Sequence, residues 1–133
     1  MERVIVESPY AGNMEVNEIY GSFAMKDCLV NYGEAPYASH LLYTRQYVLR
    51  DWIPNDRRLG IDAGFAWREC GDKSVFYVDL LMSKGMVEGL EDCKKKGLPY
   101  EIRKLPSNLW EEFLDALEKE GIEVIRAKKK GKG

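Results

Sequence analysis

The run Val75-Phe76-Tyr77-Val78-Asp79-Leu80-Leu81-Met82-Ser83-Lys84-Gly85-Met86-Val87-Glu88 constrains this chain more than any other stretch. It opens as a continuous apolar segment rich in β-branched and aromatic residues, the pattern of a strand buried on both faces. The strand stops at an acid, Asp79. A short turn brings Ser83 to an N-cap position, and the spacing predicts a helix from Lys84 to about Lys96, ended by Gly97. A strand, a Ser-x-Gly loop and a helix start together offer free backbone N–H groups and a partial positive charge, which is the local physics of an anion site. A plainer reading stands beside it, in which Ser83 only caps the helix and Gly85 lets it pack close to the sheet.

The rest of the chain repeats this strand-to-helix grammar. Arg3 to Ser8 reads as a strand closed by Pro9, and a helix is expected from about Met14 to Asn31, with Val16, Ile19, Tyr20, Phe23, Ala24 and Cys28 at helical spacing. Ala35 to Leu42 reads as a second strand, with Pro36 confined to its start and His40 at its end. The polar and aromatic segment Tyr43 to Asn55 is long for a connection in a small domain. Asp56 to Glu69 reads as a helix on which Gly60 and Gly64 share one face. Tyr100 to Lys104 is a fourth strand, about Leu109 to Glu120 a last helix, and Ile122 to Arg126 a fifth strand. Lys128 to Gly133 reads as a disordered, solvated basic tail behind a single α/β domain of residues 1–127.

The predicted order β-α-β-α-β-α-β-α-β argues for an open parallel five-stranded sheet, flavodoxin-like or Rossmann-like, in the order 2-1-3-4-5 with helices on both faces. In that order the topological switch point lies between the first and third strands, and ligands bind outside their carboxyl ends. The loops that meet there are Ser8 to Asn13 and Leu80 to Gly85, so the two most site-like stretches are expected to face each other.

Composition removes several classes. A net charge of −2 over 133 residues gives no general attraction to nucleic acid or to anionic membrane. No apolar run reaches transmembrane length, and Met1-Glu2-Arg3-Val4 lacks signal-peptide form, so a cytoplasmic protein is expected. Cys28, Cys70 and Cys93 are odd in number and widely spaced, reading as reduced, mostly buried thiols. With one histidine and no ligand spacing, neither a metal nor another cofactor is expected.

Val4-Ile5-Val6-Glu7-Ser8-Pro9-Tyr10, Asn17, Gly60-Ile61-Asp62-Ala63-Gly64 and Ser83-Lys84-Gly85-Met86, in that order and spacing, resemble the nucleoside 2-deoxyribosyltransferase-like proteins, and most closely a branch common in bacteriophage genomes. The resemblance covers about Arg3 to Leu105. It implies a nucleoside or nucleotide ligand and a homo-oligomer. In such proteins a Glu just after a Gly-Met or Gly-Thr step attacks the sugar, an Asp of the preceding helix handles the proton, and an aromatic residue after the first strand covers the base. Carried over, Tyr10 takes the covering position, Asp62 lies near the acid, and Gly85-Met86 matches the step. Val87 stands where the nucleophile is expected; Glu88 comes one residue later, a rotation of about 100°. The nucleophile therefore reads as lost, unless the helix start is re-registered so that Glu88 turns inward.

Candidate catalytic residues are thus Glu88 and Asp62, and candidate ligand contacts are Ser8, Tyr10, Gly12, Asn17, His40, Asp79, Ser83, Gly85 and Met86. His40 suits an acid/base or phosphate donor, or equally a hydrogen-bonded structural residue. Asp62 admits a plain reading as a surface acid paired with Arg57 or Arg58. Tyr37, Tyr43, Tyr47 and Trp52 suit stacking on a base, or packing against a neighbouring subunit. Arg45, Arg50, Arg57 and Arg58 make the same segment basic, which favours a nucleotide over a bare nucleoside. The expected function is binding, or sequestration, of a nucleotide-derived small molecule, in a phage setting a signal of host defence. The alternatives are an enzyme on N-glycosidic bonds and an interaction protein with a vestigial cleft.

Overall fold

A computed structural model describes residues 1–126. Its elements run β1 (Arg3–Glu7), α1 (Met14–Asn31), β2 (Ala35–Tyr37), α2 (Ser39–Leu42), α3 (Pro54–Arg68), β3 (Lys73–Tyr77), α4 (Lys84–Lys96), β4 (Tyr100–Arg103) and α5 (Ser107–Lys119). The strands form one parallel sheet in the order β2-β1-β3-β4. The topological switch point lies between β1 and β3, as expected from the alternation of strands and helices.

The two central strands are apolar on both sides because helices cover both sides. On one face Val4, Val6, Val75 and Tyr77 pack with Tyr20, Ala24 and Cys28 of α1 and Leu109, Phe113 and Leu117 of α5. On the other, Phe76 packs with Met86 and Cys93 of α4. Each such side chain contributes about 1.5–3 kcal/mol by leaving water. Polar groups inside the first layer are paired: Arg103 makes a two-pronged contact with Glu34 at 2.8 Å on each arm, and Tyr77 donates to Asp27 at 2.7 Å. These Arg103 hydrogen bonds hold the Glu34 carboxyl below its ordinary range.

Local signals set the helix ends. Asn13 caps α1 by accepting from the Val16 N–H at 3.2 Å. Ser83 caps α4 in the same way through Met86 N–H, and Gly97 ends it in the left-handed region at φ 69°.

Two expected strands differ. The second strand ends at Tyr37, and Ser39–Leu42 is a short helix, so His40 lies on α2 rather than at a strand end. Ala38 is buried and starts this turn, whose Leu41 packs into the core beside α1. The expected fifth strand, Ile122 to Arg126, is not a strand. Its residues Ile122 and Val124 pack onto the α1–α5 core, and Arg126 pairs with Glu111, Asp115 and Glu118, so the segment lies back along α5 instead of extending the sheet. The sheet therefore has four strands among the described residues. The expected basic tail, residues 128–133, lies outside the described residues. Cys28 and Cys93 are buried free thiols, whereas Cys70 is exposed. No described helix is long and apolar enough to cross a membrane.

Candidate functional site

Above the carboxyl ends of β1 and β3 lies a cleft open to solvent. The β1–α1 loop contributes Ser8, Tyr10 and Ala11, α2 and its following turn contribute His40, Tyr43 and Thr44, and the start of α4 contributes Ser83, Gly85 and Met86. The remaining wall is α3, whose Arg57, Gly60, Ile61, Gly64, Phe65 and Arg68 recur at the spacing of one helical face. Its two glycines bring the neighbours in. A Cβ on Gly64 would meet Ser39 Oγ at 2.6 Å, and one on Gly60 would meet Leu49 at 3.3 Å.

Six of the expected contacts, Ser8, Tyr10, His40, Ser83, Gly85 and Met86, meet in this cleft. Ser8 Oγ and His40 Nε2 are hydrogen-bonded at 2.7 Å, and the Tyr10 ring stands edge-on to the imidazole with centroids 6.4 Å apart. Burial pushes the His40 imidazole down to about 4, so at neutral pH the pair is uncharged. Around Gly85 the space is open: a Cβ there would meet nothing within 4 Å. The packing reading of Gly85 is thereby corrected. Close approach occurs one turn on, at Gly89, where a Cβ would lie 2.8 Å from the Arg68 guanidinium.

Three expected contacts do not line the cleft. Asn17 is spent on the loop itself, donating to the carbonyls of Tyr10 and Ala11 at 2.9 and 3.1 Å. Gly12 supplies a turn at φ 97°, which an L-residue adopts only under strain. Asp79 accepts from Tyr20 Oη at 2.6 Å and from the Leu105 N–H at 2.9 Å, clamping the end of β3 to α1 and to the segment before α5.

The candidate catalytic acids lie outside it as well. Asp62 is exposed and accepts twice from Arg58, at 2.9 and 3.0 Å. Glu88 lies 3.6 Å from the same guanidinium. Glu88 lines a neighbouring hollow with Trp52, Arg58 and Lys84, and this hollow shares Asp51, Arg57, Ile61 and Gly85 with the main cleft. Tyr37 and Tyr43 are bonded hydroxyl to hydroxyl, and Trp67 donates to Tyr43 at 2.9 Å, so Tyr43 is held in the cleft wall.

The residues that the motif reading misses form the floor. Arg68 has its side chain only 1% exposed and donates to Glu7 and, at 3.0 Å, to Asp92. It stacks on the Phe65 ring at 4.3 Å, and its Nε–H has no partner among the described residues. Burial raises the Glu7 carboxyl above the usual carboxylate range, with Arg68 opposing the shift. Two signals point to this floor in the sequence: Arg68 extends the Gly60–Gly64 face by four residues, and Glu7 is an acid at the carboxyl end of a central strand. Arg57 is the other omission. It is half-buried, lines both hollows, and makes no ion pair among the described residues. No group of three or more His, Cys, Asp or Glu side chains among the described residues is arranged to hold a metal ion.

The fold and cleft define an open parallel α/β protein with a cleft at its topological switch point. The family model for a domain of unknown function, DUF7768, matches residues 2–103, and the chain belongs to that family. Comparison with curated proteins and with solved structures gave no match.

Proposed function

We propose that this protein binds a nucleotide-derived small molecule, with the nucleoside in the main cleft and the phosphate at its junction with the neighbouring hollow. The observation that carries the reading is the pairing at that junction of an open helix start with an uncommitted cation. Gly85 has free space over its backbone, and Arg57, half-buried and without an ion pair among the described residues, lines the same two hollows. The first N–H groups of a helix favour an anion, and a guanidinium grips phosphate oxygens in pairs. Lys84 adds positive charge on the outer side, where Arg58 is already paired with Asp62 and Glu88. Tyr10 and the neutral Ser8–His40 pair suit the uncharged part of a nucleotide. Glu88 and Asp62 share Arg58 outside the main cleft, which favours binding over N-glycosidic chemistry. In line with the resemblance to a bacteriophage branch, the proposed role is capture of a host nucleotide signal.

A thermal-shift panel of nucleotides, run on the parent protein and on Gly85→Leu, tests this. A ligand at about 100 times its Kd stabilises by about 2.7 kcal/mol, an unmistakable rise in Tm. The leucine should abolish that rise while leaving the unliganded Tm close to the parent's. A Gly85→Leu protein that folds normally and binds nucleotides as well as the parent refutes the placement.

A further inference from the structure

We infer that Glu7 is the ligand-reading carboxylate of the cleft, accepting two adjacent hydrogen-bond donors from the bound nucleotide. Such a donor pair has two sources in a nucleotide: the N1–H and exocyclic amino group of a guanine-type edge, or the 2′- and 3′-hydroxyls of ribose. The inference rests on the nucleotide reading of the cleft and adds to it what the floor recognises.

Glu7 and Asp92 flank the Arg68 guanidinium, and Asp92 also pairs with Lys96 at 3.2 Å, so Asp92 is fully engaged and Glu7 is the acid of the floor that faces the cleft. Arg68 grips Glu7 through Oε2 only, and Oε1 receives no hydrogen bond from any described residue. The Glu7 side chain retains 17% exposure and lines the cleft. An ionised carboxylate is acceptor-only with about four lone-pair sites, and a ligand that displaces water from Oε1 without donating to it leaves it unpaired at a cost. The group that completes Glu7 must therefore donate.

Arg68 is already committed to the floor. It is held by Asp92 at 3.0 Å, by the Phe65 ring at 4.3 Å and by the close passage at Gly89. That hold fixes the Glu7 carboxylate in place before any ligand arrives, which is what sharp discrimination requires. Beside it, Ser8 and His40 bring no charge of their own at neutral pH. The free oxygen of Glu7 thus selects donors, and the anion is left to Gly85 and Arg57. This polarity gives the ligand one direction in the cleft.

Isothermal titration with GMP, IMP, AMP and the 2′-deoxy forms of GMP and AMP tests the inference on the native protein, on Glu7→Gln and on Gly85→Leu. A base-edge contact predicts that IMP, lacking the exocyclic amino group, binds about tenfold or more weaker than GMP. A sugar contact predicts the same loss for the deoxy forms against their ribose parents. Glu7→Gln should weaken the preferred ligand by a similar factor and erase the discrimination. Native protein that binds all five alike in a Gly85-dependent manner overturns the Glu7 inference and leaves the nucleotide reading standing, as does a Glu7→Gln variant that still discriminates. Absence of any Gly85-dependent binding overturns both.

Discussion

Acidification should destabilise this protein through His40 at a pH where most carboxylates are still ionised. The imidazole is held against Ser8 Oγ at 2.7 Å, and burial lowers it from 6.5 to about 4. A group whose folded value is depressed contributes stability that is present above the unfolded value and lost as pH falls toward the folded one. For His40 that window runs from 6.5 down to about 4. A gap of about 2.5 units at 1.36 kcal/mol per unit gives an upper figure of about 3.4 kcal/mol, of which about 2 kcal/mol is lost between about pH 7 and pH 5. The measurement is urea unfolding at a series of pH values for the parent and for His40→Gln. Subtracting the two curves cancels the carboxylates, including Glu34, whose depressed value acts lower on the scale, and Glu7, whose raised value acts in the opposite direction. The parent should lose about 2 kcal/mol more than the variant across that interval. Parallel curves would show that the histidine titrates as freely in the folded state as in the unfolded one, and would refute a neutral Ser8–His40 pair at the cleft.

Two further expectations concern packing and assembly. Gly89→Ala would place a Cβ 2.8 Å from the Arg68 guanidinium and force it off a carboxylate, whereas a Cβ at Gly85 meets nothing within 4 Å. The first should lower stability by about 1–3 kcal/mol despite alanine's better helix propensity, and the second should be near neutral; equal melting temperatures by circular dichroism would contradict the floor geometry. Tyr47, Val48, Trp52 and Leu59 are 95, 55, 71 and 60% exposed, all on α3 or the segment before it. We expect this surface to be covered in a homo-oligomer, and a monomeric mass by light scattering at micromolar concentration would end that expectation.

The sequence determined the elements whose instructions are local. The β3–α4 unit could be read because each part acts within a few residues: an apolar run, the Ser83 cap on Met86 N–H, and the left-handed Gly97. Parallel order and the switch point followed from alternation alone, and with them the meeting of Ser8 and Tyr10 with Ser83 and Gly85. Tertiary structure decided the rest. Ile122 and Val124 have the apolar pattern of a strand, and only their competition between a sheet edge and the α5 surface settled that they lie on the helix. Asp62 and Ile61 are neighbours in sequence, but a helical rotation turns one to Arg58 and the other into the cleft. The floor is the extreme case. Glu7 and Arg68 lie 61 residues apart, and Arg68 and Asp92 lie 24 apart. Nothing near any of them in the chain says which carboxylate a guanidinium will hold, since a buried charge takes whichever partner the packed sheet and helices bring within reach.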